Sequence, residues 1–308
     1  MEISWDSASR TDWNRLVAKA WKCPFEQSWA YGEAIAATGG AVHRAVLRDG
    51  KKPIAFAQIF SKRLGRAANL QQLLRGPVFF ESIRDEKQVF DSLNLLAQEK
   101  FGLPRTLRFW TPEVDATLAS GFKKLRWRRV MSGYHTAWLD LDPSPEVLRR
   151  NLDGNWRNGL AKAEKKSLRI RDNNDRDTMD WLLAHYENLR RKRRFGGPSP
   201  ALLAAAERYL SHKKDFFVLR AFENRTPVAG VLLARHGKSA TYVIGWSDDI
   251  GRRANANNLL LWQGLLNLKS EGVRWLDLGG IDTQASPGIA RFKLGLGGEI
   301  ASLSGTYF

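Results

Sequence analysis

The chain has 308 residues, of which 43% are hydrophobic and 26% are charged, a composition typical of a folded globular protein and long enough for two domains. It carries 49 Lys and Arg against 32 Asp and Glu, a formal net charge of +17, which favours partners with negative charge such as nucleic acid, nucleotides or an anionic membrane surface. The sequence has no apolar run of bilayer length, no signal-peptide pattern at its start, and a single cysteine, so we expect a cytoplasmic protein without disulfides.

The first half of the chain alternates between helical and strand patterns. Apolar residues at helical spacing predict helices over residues 5–22, 30–37, 86–101 and 114–121. Alternating or apolar runs bounded by turn residues predict strands over residues 43–48, 53–62, 73–80, 106–110 and within 126–141. The segment Pro143-Ser-Pro145 then interrupts the chain.

The second half repeats this plan. Helical patterns cover residues 146–152, 155–166, 176–194, 200–212 and 255–270. Strand patterns cover residues 168–171, 216–222, 227–235, 240–246 and 275–278. The order of elements therefore predicts two related domains of mixed α/β class, residues 1–142 and 143–308, with the final stretch of the chain packing on the first domain.

One stretch near the end of the chain is the candidate active site. Residues 275–279 alternate as a short strand, and Gly279-Gly280 then allows backbone conformations that other residues avoid. A short helix from Gly288 brings Lys293 just beyond the strand end, where ligands bind in open α/β sheets. The same pattern also fits a strand, a turn and a solvated lysine. The five histidines lie apart without ligand spacing, so we expect no metal site.

Basic segments supply candidate phosphate contacts. The predicted helix 155–166 is basic, the helix 176–194 ends in five consecutive cations, and Arg252 and Arg253 precede the long helix. A solvated helix face or helix end is the alternative interpretation. The candidate contacts with tRNA or phosphate are Arg157, Lys162, Lys165, Lys166, Arg252 and Arg253. The loop 251–257 lacks the later glycines of a loop that binds the pyrophosphate of coenzyme A.

Several motifs together resemble the Fem family, whose members pass an amino acid from aminoacyl-tRNA to a peptidoglycan precursor. The resemblance covers nearly the whole chain. The matching segments are Gln27-Ser-Trp-Ala30, Arg75-Gly-Pro-Val78, Arg108-Phe-Trp-Thr-Pro-Glu113, the basic helix 155–166, and Leu276-Asp-Leu-Gly-Gly-Ile281 with Phe292-Lys293. Two positions depart from the family. Glu33 stands where members that bind a nucleotide-sugar precursor carry a lysine, and Ile244 replaces the second residue of a tyrosine pair that begins at Tyr242.

The resemblance implies a tandem of two domains of the acyl-CoA N-acyltransferase (GNAT) type with a groove between them. It implies that Lys293 stabilises the charge that forms during aminoacyl transfer. The acceptor amine must also lose a proton, and Asp282, Asp277, water or the substrate itself are the candidates to accept it. The remaining substrate contacts it implies are Phe292, Tyr242, Arg75, Trp29, Arg193, Arg194 and Asp277.

This reading requires no cofactor. We expect the protein's substrates to be aminoacyl-tRNA and an amine acceptor, either a peptidoglycan precursor or a small molecule. We also expect a monomer that contacts an anionic membrane peripherally. An N-acyltransferase that uses acetyl-CoA or another acyl-CoA is the first alternative. A non-catalytic RNA-binding protein on the same scaffold is the second.

Overall fold

The computed structural model describes residues 1–81, 85–99, 101–102, 105–172, 175–193 and 196–308. The chain divides into two compact units. The first contains Met1–His135, His236–Lys238 and Ala301–Phe308, and the second contains Thr136–Arg235 and Ser239–Ile300.

The secondary structure is mixed throughout. The strands are β1 (Glu2–Trp5), β2 (Ala41–Asp49), β3 (Lys52–Leu64), β4 (Ala68–Leu74), β5 (Val78–Phe79), β6 (Arg105–Thr111), β7 (Arg129–Met131), β8 (His135–Asp140), β9 (Arg169–Asp172), β10 (Phe216–Glu223), β11 (Thr226–His236), β12 (Ser239–Ser247), β13 (Trp275–Asp277), β14 (Glu299–Ser302) and β15 (Thr306–Tyr307). The α-helices are α1 (Arg10–Lys19), α2 (Trp29–Ala37), α3 (Glu86–Gln98), α4 (Pro145–Asn151), α5 (Gly154–Glu164), α6 (Arg176–Arg193), α7 (Pro200–Arg208), α8 (Asp249–Arg253), α9 (Ala256–Ser270) and α10 (Pro287–Leu294). Short 3₁₀ helices cover Phe25–Gln27, Ala116–Lys123 and Lys213–Asp215.

The first unit is built on a sheet with the strand order β1-β2-β3-β4-β6-β15-β7, in which β5 also pairs with β3. Most pairs are antiparallel, but β4 and β6 run parallel. The core on one face of the sheet includes Ile59, Leu73, Trp110 and Leu93, the last of which comes from α3. A second cluster, with Trp13 of α1 against Phe56, covers part of the other face.

The second unit is built on a sheet with the strand order β14-β8-β13-β12-β11-β10-β9. Its largest apolar cluster joins alternate residues of β10 to β13 with α5 and α9. Strands β12 and β13 are parallel, and their ladder joins Ser239–Thr241 to Trp275–Asp277. Because β12 continues to Ser247 whereas β13 ends at Asp277, only the first residues of β12 pair with β13. The chain leaves the sheet where their ladder stops.

Several local predictions differ from the structure. The segment 5–22 holds only the ten-residue α1, which ends when Ala20 leaves helical backbone angles, and β1 precedes it. The interrupted strand 73–80 is two strands, β4 and β5, separated at Gly76-Pro77, where proline removes a backbone donor. Residues 249–253 form α8, a helix for which no element was expected, and the Asp248 side chain caps its start.

The strand expected at the end of the first domain, β8, pairs with β13 of the second sheet. The division between the units therefore falls at residue 136, whereas the sequence-based boundary lies at 142/143. At the other end of the chain, β15 pairs with β6 and β7 in the sheet of the first unit. Residues that are adjacent in sequence thus contribute to different sheets, which periodicity alone does not reveal.

Candidate active site

The site in the second unit begins where β13 ends. Asp277 is fully buried, and its Oδ1 accepts a hydrogen bond of 2.8 Å from the Gly279 N–H and one of 2.5 Å from the Thr136 hydroxyl. Gly279 has a φ of +70°, a conformation that favours glycine. A Cβ at this position would lie 3.1 Å from the Tyr242 carbonyl oxygen and 3.4 Å from Lys293 Nζ. The glycine therefore leaves the space in which the lysine side chain ends.

Helix α10 brings Lys293 back to this backbone break. It begins with Pro287, whose fixed φ suits the first turn, and its C-cap is Gly295. Lys293 Nζ donates a 2.8 Å hydrogen bond to the Gly280 carbonyl and lies 5.7 Å from the centre of the Tyr242 ring. The ammonium is thus held between a backbone carbonyl and the negative face of an aromatic ring, both of which favour positive charge.

Burial lowers the pKa of Lys293 to about 8, and the nearby Asp277 opposes this by favouring the charged form. The pKa of the buried Tyr242 hydroxyl is raised by the same loss of solvent, so this phenol stays neutral at ordinary pH. With its pKa of about 8, the Lys293 amine is mostly charged at pH 7 and loses its charge as the pH rises through the pKa. The arrangement can therefore stabilise negative charge on a bound group.

Thr136 is a residue of this site that sequence reasoning missed. Its hydroxyl lies within hydrogen-bonding distance of both Asp277 Oδ1 and the Gly279 carbonyl, at 2.5 and 3.1 Å. It reaches them because β8 pairs antiparallel with β13 in the register Asp277 to Trp138. The alternation in residues 135–141 gave a sign of a buried polar residue, but the pairing partner that gives it meaning was not visible.

The other residues proposed around the lysine have different surroundings. Phe292 turns away, its ring 5.8 Å from the Trp156 ring, and packs against the apolar core of this unit. Asp282 is exposed, and its Oδ1 accepts the N–H groups of Gln284 and Ala285 at 2.9 and 2.7 Å, which holds the turn before α10. Of the predicted residues in this unit, the structure therefore brings together Lys293, Asp277 and Tyr242.

Two predicted residues lie in the first unit. Arg75 is buried and forms a bidentate ion pair with Glu113, with both contacts at 2.9 Å and Glu26 at 3.9 Å. Trp29 begins α2, and the Arg44 guanidinium lies 3.5 Å from the centre of its ring. Arg75 has the surroundings of a structural ion pair, because its charge is already matched by carboxylates.

Glu33, the residue that replaces a lysine of the Fem family, pairs with Arg44 at 2.9 Å. The family's positive charge at position 33 is therefore replaced here by an acidic group that is itself neutralised. Burial lowers the pKa of Arg44, and the hydrogen bond that Arg44 donates to Glu33 opposes that change. The Trp29, Arg44 and Glu33 side chains form one contact network on the first unit.

The basic candidates are exposed in the structure. Lys162, Lys165 and Lys166 lie at the end of α5 and just beyond it, and we call these three residues the α5 basic face. Arg157 on the same helix donates to the Arg150 carbonyl at 2.9 Å. This surface is open to a polyanion in solution.

At the end of α6, Glu187 binds the side chains of both Arg190 and Arg191, which leaves these two cations partly neutralised and lowers the pKa of Glu187 to about 2. Arg193 is the exposed last residue of α6, and Arg194 lies outside the described residues. Arg190 and Arg191 are therefore less available to phosphate than their place in a run of five cations suggested.

The turn before α9 carries the remaining two arginines. Arg252 forms an ion pair with Asp249, and Arg253 is exposed. The Gly251 N–H donates to Asp248 Oδ1 at 2.7 Å, and the N–H groups of residues 252, 254 and 255 donate to carbonyls within the same segment. A glycine-rich loop that binds a pyrophosphate presents such N–H groups to its ligand. This segment instead uses four of them to build α8 and the turn after it.

Within the described residues, no cluster of three or more His, Cys, Asp or Glu side chains could hold a metal ion. In the same part of the chain, none of the helices has both the length and the apolar character needed to cross a membrane.

Comparison with known proteins places this geometry in a class. Residues 148–294 match the acetyltransferase (GNAT) domain family, a stretch that contains α5, α9, β13 and Lys293. No curated protein sequence matches the chain significantly. The second half of the chain is therefore similar in sequence to a GNAT domain.

Solved structures extend the likeness to the whole chain. FemX superposes with a TM-score of 0.79 at 14% identity, covering 100% of this chain and 96% of FemX. A tandem GNAT protein from the clavulanic acid biosynthesis pathway superposes with a TM-score of 0.52 at 14% identity, covering 99% of this chain and 98% of that protein. The C-terminal domain of a candidate lysylphosphatidylglycerol synthetase from Agrobacterium fabrum gives 0.53 at 13% identity, covering 97% and 92%. The expected fold is confirmed: the chain has a Fem-like, tandem GNAT fold.

Proposed function

We propose that this protein is an aminoacyltransferase that moves an amino acid from aminoacyl-tRNA to an amine acceptor. The observation that carries the proposal is the half-buried Lys293 ammonium at the glycine break after β13, bonded to the Gly280 carbonyl and close to Asp277. Its support from comparison is the Fem-like fold over the full length of the chain. The chemistry of aminoacyl transfer accounts for what such a charge would do.

In the proposed step the nitrogen of the acceptor amine attacks the ester carbonyl carbon of aminoacyl-tRNA. A C–N bond forms, the C–O bond to the tRNA ribose breaks, and the ribose hydroxyl leaves with one proton while the amine loses one. Negative charge builds on the carbonyl oxygen before the C–O bond breaks. Lys293 stabilises that oxygen, since a fixed cation in a partly dry site acts strongly on developing charge. The ester is already activated, so the step needs no metal or redox group.

The proton of the acceptor amine needs an accepting group. Asp277 is near Lys293, but its Oδ1 already accepts two hydrogen bonds, so the structure favours a role in holding the ammonium. Asp282 is exposed and caps a turn through Oδ1. We infer that water or the substrate itself carries the proton in the first instance, with Asp282 as the protein group to test.

The tRNA donor is supported by the position of exposed cations. The α5 basic face and Arg157 lie on α5 within the residues that match the GNAT family, and Arg253 adds a further cation before α9. Exposed lysines and arginines bind a nucleic acid backbone through its phosphates, in a manner that weakens as salt rises. Arg193 at the end of α6 remains a proposed contact, as does Arg194, which lies outside the described residues.

An acyl-CoA-dependent N-acyltransferase is the second candidate, because the matching family is described as an acetyltransferase domain. The hydrogen bonding before α9 argues for the first candidate. Four N–H groups of residues 251–255 are already bonded within the protein, so this turn offers a diphosphate fewer donors than a glycine-rich loop would. A thermal shift with CoA and none with tRNA would favour the second candidate.

We propose that the acceptor is an amine of either a peptidoglycan precursor or a small molecule. The ion pair of Glu33 with Arg44 disfavours an acceptor that places a phosphate at this position, since the local cation is already matched. We propose that Arg75, Trp29, Tyr242 and Phe292 act on substrate binding chiefly by shaping the two units, given their buried or packed surroundings. The reaction needs only one copy of the chain.

The test is transfer of a labelled amino acid from a mixed pool of charged tRNA to candidate amines, followed by mass spectrometry of the products. We expect the protein freed of RNA to transfer at least one amino acid, and the Lys293→Met variant to lose roughly 100-fold or more in rate. The Lys269→Met variant is the matched control, since Lys269 instead donates to the Leu141 and Asp142 carbonyls. Acetyl transfer from acetyl-CoA with no transfer from any charged tRNA would overturn the proposal.

A further inference from the structure

One face of the first unit's sheet combines exposed apolar and basic side chains across four strands and the β3–β4 hairpin. In the ladders, Leu64 pairs with Ala68 and Ala68 with Arg105, so these side chains point to the same face. Lys62 and Leu107 share that face through their common partner Leu70. The opposite face carries Leu73 and Trp110 into the core.

The same face continues across β15 to β7. The rings of Phe109 and Phe308 are 5.8 Å apart, and Phe308 and Arg128 exchange both backbone hydrogen bonds. Arg128 therefore lies beside Phe308 on this face. The ladder also pairs Met131 with Thr306, whose hydroxyl lies 2.8 Å from that of Thr111, so Met131 lies on the same face. We call the set Lys62, Leu64, Arg105, Leu107, Arg128 and Met131 the β6 face.

The β6 face exposes apolar groups that a folded protein usually covers. Leu64 is 42% exposed, Leu107 39% and Met131 62%. Successive strands are about 4.8 Å apart, so a surface that extends from β3 to β7 is roughly 19 Å wide. A flat patch of this kind, with aliphatic side chains on neighbouring strands, marks an interaction surface more often than isolated exposed residues do.

Its charge is of one sign. Lys62, Arg105 and Arg128 are all exposed, and strands β3, β4, β6, β7 and β15 contain no Asp or Glu. Arg63 and Arg66 add exposed cations at the β3–β4 hairpin. A surface that is both basic and aliphatic matches the interface of an anionic bilayer, which offers negative head groups above an apolar layer.

We propose that the β6 face docks the protein on an anionic lipid bilayer. RNA could engage the cations, but the aliphatic side chains would gain nothing from phosphates and hydroxyl groups. Each cation near an anionic membrane strengthens binding about fivefold, so three together contribute roughly 100-fold. The inference does not depend on the aminoacyl-transfer proposal, because it concerns the first unit and needs no catalysis.

The test is sedimentation of the full chain with vesicles of phosphatidylcholine, or of phosphatidylcholine with about a third phosphatidylglycerol, at a salt concentration near 0.1 M. We expect binding to the anionic vesicles only, with a loss of at least roughly 100-fold in the variant Lys62→Glu/Arg105→Glu/Arg128→Glu, which removes three cations and adds three negative charges. The variant Leu64→Gln/Leu107→Gln/Met131→Gln keeps every charge and should also lose binding. Circular dichroism and the thermal midpoint verify that both variants fold.

The matched control is Lys213→Glu/Lys214→Glu/Arg225→Glu, which makes the same change in net charge at exposed positions of the second unit. We expect it to bind vesicles nearly as well as the parent protein. An equal loss in the control would mean that net charge alone drives binding, and the proposal would be wrong. It would be equally wrong if the β6-face variants kept vesicle binding and lost tRNA binding instead.

A second measurement avoids charge changes altogether. Cys23 is fully buried, so a cysteine introduced as Leu107→Cys can be labelled with a fluorophore that responds to apolar surroundings. We expect a blue shift on addition of anionic vesicles. The same label at Ile300→Cys, also exposed but outside the β6 face, should not shift. A shift at both positions, or at neither, contradicts the assignment.

Discussion

The pH dependence of the reaction tests the role of Lys293 directly. With a pKa of about 8, the lysine is about 90% charged at pH 7 and about 10% charged at pH 9. If its ammonium stabilises the transition state, its contribution to kcat/KM falls about tenfold over that range. The direction is fixed: activity is lost as pH rises through the pKa, because the charged form is the active one.

The acceptor amine also titrates and pushes the rate the other way, so the measurement needs an internal reference. Lys293→Arg supplies it, since arginine keeps its charge throughout this range. Single-turnover transfer from pre-charged tRNA is measured for both proteins from pH 6.5 to 9.5. The ratio of parent to variant should fall about tenfold between pH 7 and 9.

A chemical variant provides a second, independent change in basicity. Lys293→Cys alkylated to thialysine carries an amine that is less basic than that of lysine, and the buried Cys23 should not react. The break in the profile should move to lower pH. A ratio that stays flat from pH 7 to 9, or a break that does not move with thialysine, would refute the assignment of the charge to Lys293.

The remaining predictions concern stability and tRNA binding. Lys293→Met should raise the free energy of unfolding at pH 7 by about 1–2 kcal/mol, after discounting for solvent, and the gain should fade between pH 8 and 10.5 as measured by urea titration. Arg75→Met should cost about 3–5 kcal/mol, because it strands the Glu113 carboxylate; unchanged stability with a raised KM would instead indicate a substrate contact. Thr136→Val should cost about 1–3 kcal/mol in the same assay, while Thr136→Ser keeps most of the stability. Neutralising the α5 basic face with glutamine should lower the slope of log affinity for tRNA against log salt by about 2–3.

Periodicity in the sequence predicted most elements that are long and regular. The helix expected over 255–270 is α9, and the strands expected around 43–62 are β2 and β3. These elements bury one face or most of their surface, so the spacing of their apolar residues indicates whether the segment is a helix or a strand. The Asp-Gly turn between them is also local, and the structure places Gly50 at a positive φ there.

Pairing between distant segments could not be predicted, because the apolar pattern of a segment carries no information about which strand it joins. Nothing local to β8 indicates that it joins β13, and so neither the unit boundary nor Thr136 could be predicted. Arg75 illustrates a second limit. Its motif was visible, but the carboxylates that neutralise it come from 38 residues along the chain and from the 3₁₀ helix 25–27. Charge patterns in sequence identify candidates, whereas their partners decide which of them are free to act.

The surroundings of Lys293 explain why a lysine at this position would be both costly and useful. Burial opposes its charge, while the Gly280 carbonyl and Asp277 favour it. The amine therefore remains charged at pH 7, but its pKa lies only about one unit higher. Stronger pairing with a carboxylate would secure the charge but would also cancel its field at the substrate. Because Asp277 is held by Thr136 and the Gly279 N–H, part of its own charge is already satisfied within the protein. The ammonium therefore retains a field toward a bound group, and loosening Asp277 should strengthen its hold on the lysine at the expense of transfer.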